Sequence, residues 1–201
     1  MMEQLSFVLI KSFTTFLLMI HTGYLFADTI YLAGGCFWCT EKKFENIAGV
    51  TEVISGYCNG SKETASYSMV SGGHTNHREC VQISYDSEAV NLENLIEQYI
   101  QSINPMDLKG QFNDRGNQYK IEIYFENELQ KKTSIQILEL INQKKIYEKN
   151  ISVPVVKFKS FYPAEEYHQD FYKKRPQHYK AYEKGSGRKK FLNKYIERFN
   201  K

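Results

Sequence analysis

Residues Thr29–Gly49 read "TIYLAGGCFWCTEKKFENIAG", and their pattern changes halfway. "TIYLAGG" is a short apolar run that stops at two glycines, as a strand does on entering a turn. "CFWCTEKKFENI" follows and reads as a helix closed by Gly49. A strand, a glycine turn and a helix in direct succession imply a domain that mixes both elements. They also put Cys36 at a helix start. The first N–H groups of a helix have no partner within it and favour an anion. A thiol placed there ionises below the ordinary value of about 8.5. Cys39 follows one helical turn later, so the two side chains share a face.

Downstream the alternation continues. Residues 50–57, "VTEVISGY", read as a strand ending in the turn "CNGS". Residues 61–79 are polar and read as loop. "CVQISYD" alternates Val81, Ile83 and Tyr85, which predicts a strand. "NLENLIEQYIQSI" sets Leu92, Leu95, Ile96, Tyr99, Ile100 and Ile103 at helical spacing. A loop, "NPMDLKGQFNDRGNQ", leads into the strand "YKIEIYF". A helix over 126–144 is expected to bury Leu129, Ile137, Leu138 and Ile141. "ISVPVVKFK" reads as a strand, and Pro154 makes it an edge. The tail from Tyr162 is helical or irregular. Its last segment, "RKKFLNKYIERFNK", puts Phe191, Leu192, Tyr195 and Phe199 on one face, with the basic residues as a solvated face opposite.

The chain has 201 residues, enough for one domain with a substantial core. Its 42% hydrophobic and 24% charged residues are ordinary for a globular protein. A net charge of +3 is too mild to argue for a nucleic-acid partner. Residues 1–27 differ from the rest. Lys11 precedes the apolar run "SFTTFLLMIHTGYLFA", and Ala27 ends it with Leu25 two positions before. This is the pattern of a secretory signal peptide cleaved near Ala27, with an uncleaved N-terminal anchor as the alternative, and the run is shorter than the roughly 20 residues of a membrane span. The expectation is an exported protein, periplasmic or extracytoplasmic, not held in a membrane after signal removal. Residues 28–201 form one α+β domain, expected to be a monomer.

Export bears on the four cysteines, Cys36, Cys39, Cys58 and Cys80. An even number in an exported chain suggests disulfides, but four in a domain of this size is not disulfide-dense. Cys58 and Cys80 read as ordinary half-buried residues. Three readings compete for Cys36 and Cys39. One is structural, since Cys, Phe and Trp are core material. A second is zinc, with His74, His77 and Cys80 of "HTNHREC". The H-x2-H spacing fits a finger poorly, so no metal is expected. The third is redox chemistry, one thiol attacking and the other resolving. As a thiol-disulfide oxidoreductase, the chain would be unusual in having Phe37 and Trp38 between the cysteines. A non-catalytic exported domain with structural cysteines is the rival from another class.

"GGCFWCTE" resembles the GCFW segment of the peptide methionine sulfoxide reductase A family. Three further stretches match that family in its order: "SYSMVSGGHTNHRECVQISYD", "GQFNDRGNQYKIEIYF" and "FYPAEEYHQDFY". Together they cover most of residues 30–190. The resemblance implies a two-layer α/β sandwich with a mixed sheet and a ferredoxin-like core. It implies reduction of methionine S-sulfoxide, free or in oxidised proteins, through a sulfenic acid. No cofactor is implied. The reductant would be a thioredoxin-like protein, or dithiothreitol in the test tube.

The same resemblance assigns roles. Cys36 would be the nucleophile. Phe37 and Trp38 would wall the S-methyl group. Glu79 would be the general acid. Tyr67 and Tyr119 would hydrogen-bond the sulfoxide oxygen, with Asp114 supporting them. These types suit a substrate with an apolar methyl and a polar S=O. Attack on sulfur builds charge on oxygen, so a proton donor there helps most. Glu79 must then stay protonated near neutral pH, which aromatic surroundings favour. Cys39 is the expected resolving thiol, with direct attack by an external thiol as the alternative. Cys80 adjoins Glu79 but, on a strand, faces the other way. His168, in "EEYHQD", is read as structural. The chain departs from the family in three places. Its tail after Tyr182 has no resolving cysteine, it has Asn104-Pro105-Met106 where many members have DPT, and Lys120 replaces an arginine.

Overall fold

The structure, a computed structural model, describes residues 27–199. The signal segment expected from the sequence lies outside them, Ala27 apart. Strand β1 (Asp28–Gly34) leads into helix α1 (Phe37–Glu45), then strand β2 (Val50–Cys58), short helix α2 (Tyr67–Val70) and strand β3 (Arg78–Tyr85). Helix α3 (Leu92–Ser102) is followed by a two-stranded hairpin of β4 (Gly110–Gln111) and β5 (Asp114–Arg115). A single 3-10 turn at Asn117–Tyr119 then enters β6 (Ile121–Phe125), and helix α4 (Glu128–Gln143) follows. Strands β7 (Val155–Lys157) and β8 (Phe161–Pro163) precede helices α5 (Phe171–Lys174), α6 (Pro176–Gly185) and α7 (Arg188–Phe199).

Six strands form one mixed sheet in the order β7-β6-β1-β3-β2-β8. Only β6 and β7 pair in parallel. The chain is a single α+β domain. Alternation along the strands divides the sheet into two faces. Ile30, Leu32, Val53, Tyr57, Val81 and Ile83 join the main core under the helices. Tyr31, Ala33, Cys58, Cys80 and Tyr124 point to the other face, covered by Phe158 and Phe161. Helices α3 and α4 are capped by Asn91 and Asn127, whose side chains accept from Asn94 N at 2.8 Å and Gln130 N at 2.9 Å.

The structure corrects the sequence reading at several points. Leu129 is 72% exposed. Helix α4 begins at Glu128, so its inward stripe is Gln130, Thr133, Ser134, Ile137, Leu138 and Ile141. Gln130 is buried because its amide donates to Thr29 O and accepts from Glu126 N. The strand expected over "ISVPVVKFK" is shorter, since Pro154 cannot donate to the ladder. It is nevertheless an edge. Strand β8, three residues long, was read as part of the irregular tail. In α7, Tyr195 is buried and Phe191 and Phe199 pack against the core as expected. Arg188, read as part of a solvated basic face, is buried and donates to Gly34 O and Ser102 O. Among the described residues no helix is long and apolar enough to cross a membrane.

Candidate active site

The turn between β1 and α1 is tight. Gly35 adopts φ +81, and a Cβ there would lie 2.6 Å from Gln111 Cβ, so only glycine fits. Cys36 is the N-cap of α1, yet its side chain accepts no capping hydrogen bond. The N–H of Phe37 instead donates to Glu79 Oε2 at 3.1 Å. Glu79 reaches that position from β3, where it pairs with Tyr57 of β2. It is 2% exposed. Burial raises its pKa to about 8, the Phe37 N–H pulls it back down, and the nearby Asp114 and Cys39 push it up further. A carboxyl so placed keeps its proton at neutral pH.

Around Cys36 and Glu79 stand the three other polar residues expected from the sequence. Tyr119 lies at the end of the 3-10 turn. Its pKa is raised by burial first and then by Glu79, Tyr67, Cys36 and Asp114. Tyr67, at the start of α2, is raised by burial and by Glu79 and Cys36. Its N–H is held by Glu165 Oε1 at 2.9 Å. Asp114 comes from the β4–β5 hairpin and is raised by burial. The structure therefore gathers Cys36, Glu79, Tyr67, Tyr119 and Asp114 within each other's electrostatic reach.

One member of the cluster was missed by sequence reasoning. Tyr182 of α6 donates its hydroxyl to Asp114 Oδ2 and also reaches the Cys36 thiol. A signal was present, since Tyr179 and Tyr182 stand three apart on one helix. No motif attached to them. Tyr179 donates to Cys39 Sγ at 3.6 Å, so the two phenols of α6 attend the two cysteines of α1.

Cys36 and Cys39 are free thiols. Their electrostatics differ from the expectation that the helix start ionises Cys36. Burial raises the Cys36 thiol, and the hydrogen bond it shares with Cys39 raises it further. Cys39 is lowered by that same bond, by the Arg188 charge and by the Tyr179 hydroxyl, against burial. The Phe37 N–H serves the Glu79 carboxyl and not the Cys36 sulfur, so it does not offset the burial of that thiol. Within the pair, the surroundings favour a thiol at Cys36 and an anion at Cys39.

The apolar residues divide likewise. Phe37 is fully buried and packs on Tyr57 and His168, with ring centroids 6.0 and 5.0 Å away. Trp38 is partly exposed. It stacks on Phe171 at 3.8 Å and meets Tyr182 edge-on at 5.8 Å. Its Nε1 donates to His168 Nδ1 at 3.1 Å. His168 thus holds the tryptophan in place, and burial lowers its pKa.

Cys58 and Cys80, read as ordinary half-buried residues, form a disulfide with Cα atoms 5.9 Å apart. Cys58 ends β2 and Cys80 stands on β3, both on the face away from the helices. Cys80 thus faces away from the site, as its neighbour's position required. The disulfide takes Cys80 out of the set of zinc ligands weighed from the sequence. His77 turns to Ser61 O at 2.9 Å, and among the described residues no group of three or more candidate ligands converges.

The family model for peptide methionine sulfoxide reductase matches residues 28–200. "Peptide methionine sulfoxide reductase MsrA 2" of Staphylococcus aureus strain MW2 is 43% identical over 164 residues, covering 82% of this chain and 93% of that protein. The MsrA protein of Bacillus licheniformis is 42% identical over 163 residues, covering 81% and 90%. Among solved structures, Mxr1 from Saccharomyces cerevisiae in reduced form superposes with a TM-score of 0.70 at 30% identity, covering 75% of this chain and 86% of that one. Methionine sulfoxide reductase A of Corynebacterium diphtheriae gives 0.70 at 28% identity, covering 75% and 76%.

Proposed function

This chain belongs to the peptide methionine sulfoxide reductase family and is an MsrA enzyme that reduces methionine S-sulfoxide to methionine, and from that premise we propose how its residues divide the work. Cys36 is the nucleophile and Glu79 the general acid. The observation that carries this is the Glu79 carboxyl, buried beside Cys36 and protonated near neutral pH. Tyr67 and Tyr119 hydrogen-bond the sulfoxide oxygen. Asp114, with the Tyr182 hydroxyl on it, orients the polar side of the pocket. Trp38 is the exposed wall for the S-methyl group, and Phe37 backs it from the core.

The cycle runs in two halves. With Glu79 protonated, attack needs the anion on Cys36, and the bound sulfoxide favours it there over Cys39. Cys36 Sγ attacks the substrate sulfur while Glu79 gives its proton to the oxygen. The S–O bond passes to Cys36 as a sulfenic acid, and methionine leaves with two electrons gained. Cys39 Sγ then attacks Cys36 Sγ and expels water, leaving a Cys36–Cys39 disulfide. One helical turn brings two cysteines within the roughly 7 Å that a disulfide needs, and the other pair is already bonded. A thioredoxin-like dithiol restores both thiols, and no cofactor takes part.

We read residues 1–27 as a removed signal peptide and the mature enzyme as extracytoplasmic. The Cys58–Cys80 disulfide supports this, because such bonds persist where the surroundings are oxidising. The inner strands β6-β1-β3-β2, with α1 and α3 as crossovers, support the ferredoxin-like core. The test of function is turnover of a methionine sulfoxide peptide with dithiothreitol. Mapping cysteines by mass spectrometry after one equivalent of methionine sulfoxide tests the resolving step. A Cys36–Cys39 bridge is expected. A persistent sulfenic acid with Cys39 free would remove Cys39 from the cycle.

A further inference from the structure

A cavity of about 580 Å³ opens on Cys39. Its floor includes Cys39, and its walls come from α1, α3, α6 and α7. Glu79, Tyr67, Tyr119, Asp114 and Tyr182 do not line it, and neither does Cys36. The volume lies in the range of small-molecule sites, which run from about 300 to 1,000 Å³. Three cationic side chains face it, Lys42, Lys43 and Arg188, against one carboxylate, Glu183. Lys42 pairs with Glu183 at 2.9 Å, which leaves Lys43 and Arg188 without a carboxylate partner among the described residues. Arg188 is 6% exposed, and its Nε finds no hydrogen-bond partner among the described residues. Ile47, Leu192 and Ile196 supply the apolar part of the wall.

We propose that this cavity admits a small thiol bearing one or more carboxylates, which enters beside Cys39 and reduces the Cys36–Cys39 disulfide from there. The proposal rests on Cys39 being the resolving thiol. It adds a donor to the thioredoxin-like one, because a recess on a cysteine that is itself 6% exposed suits a molecule better than a protein face. The incoming thiolate attacks Cys39 Sγ. The Cys36–Cys39 bond breaks, its electron pair stays on Cys36 Sγ, and a mixed disulfide forms on Cys39. A second molecule of the same thiol attacks the outer sulfur of that mixed disulfide and expels Cys39 as a thiolate. The net products are the two protein thiols and the disulfide of the small thiol. A thiol with a lowered pKa leaves faster, so the groups that favour a Cys39 anion speed the second exchange. Sulfoxide and reductant thus arrive by separate doors.

The experiment starts from full-length protein carrying the Cys36–Cys39 disulfide, confirmed by mass mapping. Its reduction by mercaptosuccinate and by 2-mercaptoethanol is followed by acid quench at equal thiolate concentration. The expected result is a preference of about tenfold for the dianion, equivalent to one favourable ion pair of roughly 1.4 kcal/mol. The preference shrinks with added salt. It disappears in the double variant Lys42→Glu, Lys43→Glu, while that variant's single-turnover sulfoxide reduction stays unchanged. Leu192→Trp, which fills the cavity, slows both thiols. The trapped mixed disulfide is expected on Cys39. Equal rates for the two thiols in the wild type, a preference that survives charge reversal, or an adduct on Cys36 would each overturn the proposal alone. Failure of the starting disulfide to form would overturn the resolving assignment along with it.

Discussion

The molecule holds two cysteine pairs on either side of one acid, and they have opposite fates. Cys36 and Cys39 stand three residues apart on the first turn of α1, under the helical layer, and remain thiols. Cys58 and Cys80 are 22 residues apart in sequence, on adjacent strands, and are bonded. Glu79 belongs to the first group and its chain neighbour Cys80 to the second. A strand turns successive side chains to opposite faces, so one residue step crosses from the reactive side to the inert one. The bonded pair packs with Tyr31, Ala33 and Tyr124, where nothing ionises it. The free pair has hydroxyls from Tyr179 and Tyr182, the Arg188 guanidinium, and a carboxyl close by. What separates the free pair from the bonded one here is the set of groups aimed at the sulfur.

Substitutions should break this contrast in a definite order. Cys36→Ser should abolish sulfoxide reduction with the fold retained, measured as methionine released from a peptide sulfoxide; any substantial activity would move the nucleophile elsewhere. Glu79→Gln comes next, with a loss of about 10²- to 10⁴-fold in the reductive step, the usual worth of a general acid. The wild type should show the same dependence through pH. The folded carboxyl titrates at about 8, so the acid form prevails below that value and the single-turnover rate falls as pH rises through it. A flat profile from pH 6 to 9 would contradict the role.

Cys39→Ser should still yield one methionine per enzyme at a rate within about tenfold of wild type. Its steady-state turnover should drop by ~10²-fold, because an intramolecular thiol acts at a far higher effective concentration than a dilute external one. Comparing burst and steady-state phases separates the two. The smallest kinetic effect belongs to the double variant Cys58→Ser, Cys80→Ser. Turnover should change by less than about threefold, while stability to denaturant falls by ~2–4 kcal/mol through freeing the unfolded chain. A large kinetic loss there would show that the staple helps position Glu79.

Legibility in the sequence followed the range of the interactions. The strand–turn–helix at Cys36 and the helix over α3 were readable because each rests on neighbours a few residues away. Glu79, Tyr67, Tyr119 and Asp114 were found through motif resemblance, and their convergence depends on strand register and on the hairpin fold. The Cys58–Cys80 bond was not readable, since it needs the pairing of β2 with β3, set by Tyr57 opposite Glu79. Tyr182 and Arg188 were missed for a related reason. Each lies in a helix of ordinary composition, and only docking onto the β4–β5 hairpin and β1 gives them partners. Leu129 failed in the other direction, because a hydrophobic residue in a helix's first turn was counted as core before the helix start was fixed.

Trp38 has a use beyond the wall proposed for it. It is the chain's only tryptophan, and it stands between Cys36 and Cys39 in sequence. Its indole is pinned by Phe171 on one face and by the hydrogen bond to His168. Tyr182, edge-on to it, also touches Cys36. Every change of oxidation state at the two sulfurs therefore occurs on the residues flanking a single emitter. Intrinsic fluorescence excited at the indole band carries no contribution from any other tryptophan, so the protein comes with its own optical gauge of where it stands in the cycle.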